Sequence, residues 1–259
     1  MVIDMNGKLL AVYKQFLDAR TKISSNCQLA PYDWYSLPDK LSRLWIGYCK
    51  MLSEYSRELA NSINELGRYI INLEAWKSVI KNIDDEDDKY EVIIEFVNPF
   101  ATLAINLPYV IRSRYIYSVA HLCHQANMTK QKKWIDNLPI DEEIWFQDTD
   151  KYSNSWRGYK KLKPALEKIS NKKYQSATYD FRNKYNHRYS PKIELGMTEL
   201  VKRKVGNDGK VSYIIGQTNP LKLIQLLPIL EEQHANCLKA FEKFQNLVNE
   251  HISVISQVY

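Results

Sequence analysis

Arg182-Asn183-Lys184-Tyr185-Asn186-His187-Arg188-Tyr189 is the stretch of this chain whose residue types and spacing suggest a definite reaction. Arginine carries a planar guanidinium whose fork matches phosphate oxygens. Histidine titrates near neutrality and can take or give a proton. Asn183, directly after the arginine, can hydrogen-bond a phosphate or orient the imidazole. These groups suit cleavage of RNA. A base removes the proton of a 2′-hydroxyl, the oxygen attacks the adjacent phosphodiester, and a cation stabilises the charged phosphorane. Spacing alone is a weak signal, because such a pair also fits an arginine bound to a carboxylate and a surface histidine at a helix end.

The elements around the segment decide whether its groups can act together. Pro191 pushes Ser190 out of helical geometry, so the preceding helix is expected to end near Asn186 or His187. On an ideal helix Arg182 and His187 stand about 140° apart, so their convergence asks for a helix that stops between them. Tyr179, Arg182, Asn183 and Asn186 follow i, i+3, i+4, i+7 and predict one polar helical face.

The pattern Arg182-Asn183-x-x-x-His187-x-Tyr189, at a helix end in a helical chain, resembles the Arg-x4–6-His signature of the HEPN superfamily. The Asn after the Arg is the polar residue that superfamily favours. The trailing Tyr189 is similar to the Arg-x4-His-x-Tyr form of its HepT branch. The likeness covers eight residues directly, and the rest of the chain only through its helical character. It implies an all-α, HEPN-like helical bundle and a homodimer that brings two motifs together. It also implies metal-independent endoribonuclease activity, without a cofactor, in a toxin–antitoxin or phage-defence setting. Arg182, Asn183 and His187 would then be catalytic. Tyr189, with Tyr185 beside it, would lie on the regulatory or substrate side, with Tyr189 able to accept AMP from a partner nucleotidyltransferase antitoxin. The chain departs from minimal HEPN domains in its length and its hairpin, and no acidic-plus-lysine motif stands on an earlier helix.

Charge points to the same class of partner. The chain carries +6 overall, but residues 151–210 hold 16 Lys/Arg against 5 Asp/Glu, and the remainder is net acidic. A basic segment on a mildly acidic body suggests an anionic partner, RNA foremost, with a solvated lysine-rich surface as the plainer reading. Lys160, Lys161, Lys172, Lys173, Lys184 and Arg188, followed by Lys202 to Lys204, are the expected backbone contacts.

The remaining pattern is that of a helical body. A short helix is expected over 7–20, with Leu9, Leu10, Tyr13, Phe16 and Leu17 on one face, then a loop over 24–38 with Pro31 and Pro38. Asp39 is a candidate cap for a long helix to residue 83, whose apolar positions from Leu41 and Trp45 to Leu73 recur at alternating gaps of three and four. The acidic run 84–88 reads as a solvated turn that favours the next helix start. Residues 89–127 are apolar and helical in period, with breaks expected near Pro99 and Pro108. Helices over 158–169 and 171–186 follow. Asn207-Asp208-Gly209 is a hairpin turn between 197–205 and 211–216. Asn219-Pro220 is expected to open a last helix to about Val258, with Pro228 as a possible kink. Helices 39–83 and 219–258 are expected to pack antiparallel. The chain is thus read as one domain, 1–259, with an N-terminal elaboration over about 1–38 and a hairpin insertion over about 197–216.

Other candidates carry less. His121, Cys123 and His124 have zinc-ligand types but no matching second pair, and core packing is the better account. His234 and His251 read as polar positions on the face of the last helix. Cys27, Cys49, Cys123 and Cys237 form no metal-type pair and suit free thiols in a reducing compartment. No signal peptide is apparent, and the apolar run 92–111 is interrupted by Glu95, Asn98, Pro99, Asn106 and Pro108, so a cytoplasmic protein without a membrane span is expected. Phosphate-loop glycines and serine-hydrolase motifs do not occur. Two alternatives to a nuclease remain. One is a non-catalytic HEPN module binding RNA, a nucleotide or a partner protein, and the other a purely structural interaction protein.

Overall fold

The computed structural model describes residues 5–23, 28–38, 41–216 and 218–257. It is mostly helical: α1 is Met5–Lys22, α2 Ile46–Ile80, α3 Glu86–Val92, α4 Asn98–Ala126, α5 Phe146–Ser153, α6 Arg157–Leu166, α7 Lys172–Ala177, α8 Phe181–His187 and α9 Leu223–Gln257. The strands β1 (Val201–Val205) and β2 (Val211–Ile215) form an antiparallel hairpin between α8 and α9. Its loop is the expected one, with Gly209 at φ +78°, a conformation an L side chain rarely adopts.

The expected long helices are present with shifted ends. Asp39, the expected cap, lies outside the described residues. A short 3-10 turn, Arg43–Trp45, leads into α2, and Ser42 accepts from the Leu44 amide. Tyr48, Leu52, Leu59, Ile63, Leu66, Ile70 and Leu73 of the three-four pattern are buried. Asp85 caps α3 by accepting the Asp88 amide at 2.8 Å. The break expected near Pro99 is a π-helical turn, Ile93–Val97, while Pro108 lies inside α4 without ending it. The helical run Glu86–Thr129, π turn included, is long and apolar enough to cross a membrane by length and composition, contrary to the expectation from its prolines; core helices of soluble proteins meet the same criterion. The last helix begins at Leu223, so Asn219-Pro220 precede it rather than cap it. Its first amide, Leu223 N–H, donates to the Glu194 carboxylate, and Lys222 pairs with the same group at 3.7 Å.

The contacts group the chain into two compact units, to which α2, α4 and α9 each contribute one segment. The first comprises residues 1–27, 68–106 and 172–231. Its core is an aromatic stack in which Trp76 lies between Phe16, at 4.4 Å, and Phe96, at 4.9 Å. Phe16 is the member of the expected α1 face that is buried; Leu10, Tyr13 and Leu17 remain exposed. Lys8 and Asp88 add an exposed ion pair between α1 and α3.

The second unit comprises residues 28–67, 107–171 and 232–259. Here α2 and α9 run antiparallel: Tyr48 meets His251, whereas Ile63, further along α2, meets His234, earlier on α9. Both histidines are buried, not facial as the sequence suggested. His251 Nδ1 lies 3.0 Å from the Tyr48 hydroxyl and Nε2 3.5 Å from Cys123 Sγ; burial, with the Lys130 charge as a lesser cause, pushes the imidazole down to about 3. Asn64 pins the 28–38 loop, accepting from Ala30 N–H at 2.7 Å and donating to its carbonyl at 3.1 Å. Glu250 of α9 accepts the first amides of α6, from Arg157 at 3.1 Å and Gly158 at 2.6 Å.

Gly158 marks the closest approach of α6 to α9, since a β-carbon there would stand 2.7 Å from Leu247 Cα. Gly158→Ala should therefore destabilise the protein by about 1–3 kcal/mol, through forced displacement of packed backbone. Gly47, exposed on α2, has nothing within 4 Å of the same added atom. Gly47→Ala should be neutral or stabilising by up to ~1 kcal/mol. Urea unfolding of the two variants measures the contrast; equal midpoints would show that α6 and α9 do not approach as described.

Candidate functional site

The segment with the chemical signal lies in the first unit, and its placement begins with a break. The helix expected over 171–186 is two helices, because Tyr179 and Asp180 adopt left-handed conformations, with φ of 53° and 54°. Thr178, buried, closes the end of α7 by donating to the Tyr174 carbonyl at 2.9 Å, and Tyr174 donates to the Ile105 carbonyl of α4 at 2.8 Å. The Asp180 amide bonds the Gln175 carbonyl at 2.7 Å. The chain then restarts as α8, anchored by Phe181, which is buried. Tyr185 stacks on Phe181 at 5.7 Å.

With Phe181 pointing inward, the outward face of α8 is fixed. Arg182, Asn183, Asn186 and His187 are all exposed. At 100° per residue they fan across a sector of roughly 140°, with Arg182 and His187 at its edges and the two asparagines between them. Tyr179 precedes the helix and is not part of its polar face. The helix runs through His187 instead of stopping between the two key residues, so they share an exposed face without closing on each other. Arg188 leaves helical geometry at φ −149°, ahead of Pro191.

The neighbouring side chains divide into those committed to the fold and those left outward. The Asn183 amide donates to Asp180 at 2.9 Å, which leaves its carbonyl oxygen as the unassigned end. Lys184, expected to meet RNA, turns instead to the base of the hairpin and pairs with Glu199 at 3.1 Å. Glu199 also accepts from Thr218 at 2.6 Å and pairs with Lys202 at 3.1 Å. The Thr218 and Lys184 hydrogen bonds foremost hold its carboxyl well below the usual range, at about 2. Around this network lies a polar cleft of about 630 Å³, lined by Gln175, Tyr179, Asp180 and Lys184 on one side and by Glu199, Lys202, Thr218 and Asn219 on the other. Its size lies within the range of small-ligand sites. It was not legible in the sequence, since its walls come from three separated segments. Tyr179, Tyr185 and Tyr189 are exposed beside the motif, Tyr189 at 81%.

Of the expected basic contacts, Lys172, Lys173 and Arg188 are exposed in this unit, whereas Lys160 and Lys161 are exposed on α6 of the second unit. In that second unit the candidate zinc residues turn to different partners. His121 Nε2 meets Asp141 at 3.1 Å, His124 Nε2 meets Asp136 at 2.9 Å, and Cys123 faces His251. Asp141 also accepts the Tyr117 hydroxyl at 2.8 Å, and burial, outweighing Asp141, lowers the His121 pKa. Cys49, Cys123 and Cys237 are unbridged thiols, and Cys27 lies outside the described residues.

Comparison with known protein families, with curated proteins and with solved structures finds no match to this chain.

The Glu199 network predicts how α8 and the hairpin respond to acid. A carboxyl held near 2, against 4.5 in the open chain, stabilises the closed arrangement fully above pH 4.5. That contribution declines as pH falls below 4.5 and is gone near 2. Glu199→Gln should remove the dependence and speed amide exchange at the Thr198–Thr218 bridge roughly tenfold at neutral pH, as expected for loss of a charge-assisted hydrogen bond. Hydrogen exchange followed by mass spectrometry reads both; wild-type exchange rates in the variant would remove the ion network from the account of the site.

Proposed function

We propose that this chain is a metal-independent endoribonuclease of the HEPN type, with Arg182, Asn183 and His187 as its working residues. The observation that carries the reading is the outward fan of Arg182, Asn186, Asn183 and His187 on a short helix whose inner face is anchored by Phe181. In this reading His187 takes the proton of a ribose 2′-hydroxyl. The 2′-oxygen bonds to the adjacent phosphorus, and the bond to the 5′-oxygen breaks. Arg182 holds the phosphorane charge. The leaving 5′-oxygen takes a proton, and the products are a 2′,3′-cyclic phosphate and a 5′-hydroxyl. The basic residues of the first unit draw the RNA in, and exposed tyrosines beside the motif offer rings on which bases can stack. A toxin or phage-defence nuclease of the cytoplasm is the setting that goes with this reading.

One helix supplies one imidazole, whereas the reaction benefits from a base and an acid on opposite sides of the phosphate. A two-fold homodimer supplies both from two copies of the same face. Exposed Tyr179, Tyr185 and Tyr189 suit such an interface, tyrosine being favoured there. By its resemblance to the HepT branch, Tyr189, exposed beside the motif, is also the acceptor that an AMP-transferring partner would use. The second reading, a non-catalytic RNA-binding module, uses the same positive charge without His187.

The purified protein should cleave single-stranded RNA in the presence of EDTA. His187→Ala should lower the rate by about 10²–10⁴-fold while retaining RNA binding. Arg182→Ala should weaken both. Denaturing gels with end-group analysis read the products. A strict need for added metal, or wild-type rates in a folded His187→Ala protein, would leave the binding module as the better reading.

Assembly gives an independent check. Light scattering should find a dimer, and Tyr189→Phe should cleave at the wild-type rate. If the site is shared, unfolding and refolding Arg182→Ala and His187→Ala together should restore part of the activity that each lacks alone. A monomer, or no recovery on mixing, would confine the chemistry to one chain.

A further inference from the structure

The second unit carries a separate concentration of charge that the nuclease motif does not use. A groove between α6 and α9 is lined by Lys161 and Lys168 on one side and Lys239 and Lys243 on the other. Pro164, Ala165 and Asn236 complete its lining. On α9, Asn236, Lys239 and Lys243 stand at i, i+3 and i+7, so they form one stripe. Lysines four apart repel one another on a helix. Among the described residues, Lys161 and Lys168 make no ion pair with a carboxylate; Glu242 pairs with Lys243 at 2.7 Å and also feels the charge of Lys239. The contrast with Lys163 is direct: on the same helix it is bound by Asp150 at 2.8 Å, outside the groove. Four ammonium groups and one neutral amide therefore surround a concavity that has no acidic residue in its lining. The close contact at Gly158 and the Glu250 cap fix the two walls with respect to each other.

We infer that this groove binds the phosphodiester backbone of single-stranded nucleic acid. Ammonium groups on both walls can contact successive phosphates, and Asn236 adds a neutral amide donor. The concavity is small, about 100 Å³ and below the range of small-ligand sites, so a flexible single strand can lay its phosphates along the lysine rim where a stiff duplex follows it poorly. The inference does not rest on the ribonuclease reading, since no residue of α8 takes part.

The test compares Lys161→Gln/Lys168→Gln/Lys239→Gln with a control triple, Lys50→Gln/Lys132→Gln/Lys133→Gln, which removes the same charge from exposed positions of the same unit. Binding of a fluorescein-labelled single-stranded RNA is followed by anisotropy over a range of salt in EDTA, with His187→Ala in every protein so that the probe stays intact. The groove triple should bind at least tenfold more weakly at low salt. Its slope of log affinity against log salt should be shallower by about 0.7 for each lost contact, roughly 2 in all. The control should change affinity less than threefold, and Lys→Arg at the groove positions should retain binding. Duplex RNA should compete poorly, as should inorganic phosphate and vesicles of phosphatidylserine. Equal losses in the two triples would overturn the inference, as would preference for the duplex or the vesicles. With His187 restored, the groove triple should need a higher RNA concentration for half-maximal cleavage, whereas a wild-type protein that binds RNA but does not cleave it would count against the ribonuclease reading and not against the groove.

Discussion

Two consecutive residues in the left-handed region, Tyr179 and Asp180, decide which way the chemically suggestive segment faces. Such conformations cost roughly 1 kcal/mol or more apiece for residues other than glycine, and they persist only where the surroundings over-determine them. Here Thr178 closes α7 from one side, the Asp180 amide is bonded to Gln175, and Phe181 is buried on the other side. Had α7 continued straight through, position 181 would have been set by the register of Tyr174 rather than by its own anchor. The reversal frees α8 to take its own orientation, with the aromatic residue inward and the Arg–Asn–Asn–His fan outward.

The long elements were legible because their information is local and repeated. Alternating gaps of three and four along α2 translate into Tyr48, Leu52, Leu59, Ile63, Leu66, Ile70 and Leu73 in the core. Asn207-Asp208-Gly209 is equally explicit, because a tight turn asks for residues that tolerate positive φ. The break at Tyr179–Asp180 was not legible: neither residue is glycine or proline, and the forces that hold it come from Ile105 of α4 and from the packing of Phe181. The start of α9 misled for a related reason. Asn219-Pro220 has the chemistry of a helix start, yet the cap that serves Leu223 is the carboxylate of Glu194, from the far side of the hairpin. Residues 218 and 221 are instead drawn into bridges with Thr198 and Ile193.

Much of the candidate site was legible as residue types and little of it as geometry. Arg182, Asn183 and His187 are exposed together, as a working surface requires. Lys184 shows why a charge census cannot assign roles: one lysine within the motif is held by Glu199, while its neighbour Arg188 is exposed. The four lysines of the α6–α9 groove are distributed over some eighty residues of sequence and form no run. The buried histidines make the same point from the other direction. A histidine on a helix face reads as polar until its neighbours are known, and Tyr48 and Cys123 reach His251 from other helices.

An outward-facing catalytic fan poses a physical problem that the proposed nuclease has to solve outside a single chain. Hydrogen-bond donors stabilise a developing charge best where water is excluded, because bulk solvent screens the interaction. Arg182 and His187 stand on an open face and at its two edges, so one helix provides neither a dry site nor two proton-transfer groups on opposite sides of a phosphate. In the proposed homodimer a second copy laid face to face would resolve both deficits together. Its own fan would supply the missing acid, and the tyrosines around each motif would provide the apolar contact that displaces water. The departure of α8 from an idealised converging motif would then follow from where the site is completed. A helix that turned both groups toward each other within one chain would leave neither directed at a partner, whereas an open sector of roughly 140° allows a phosphate to lie between two such faces.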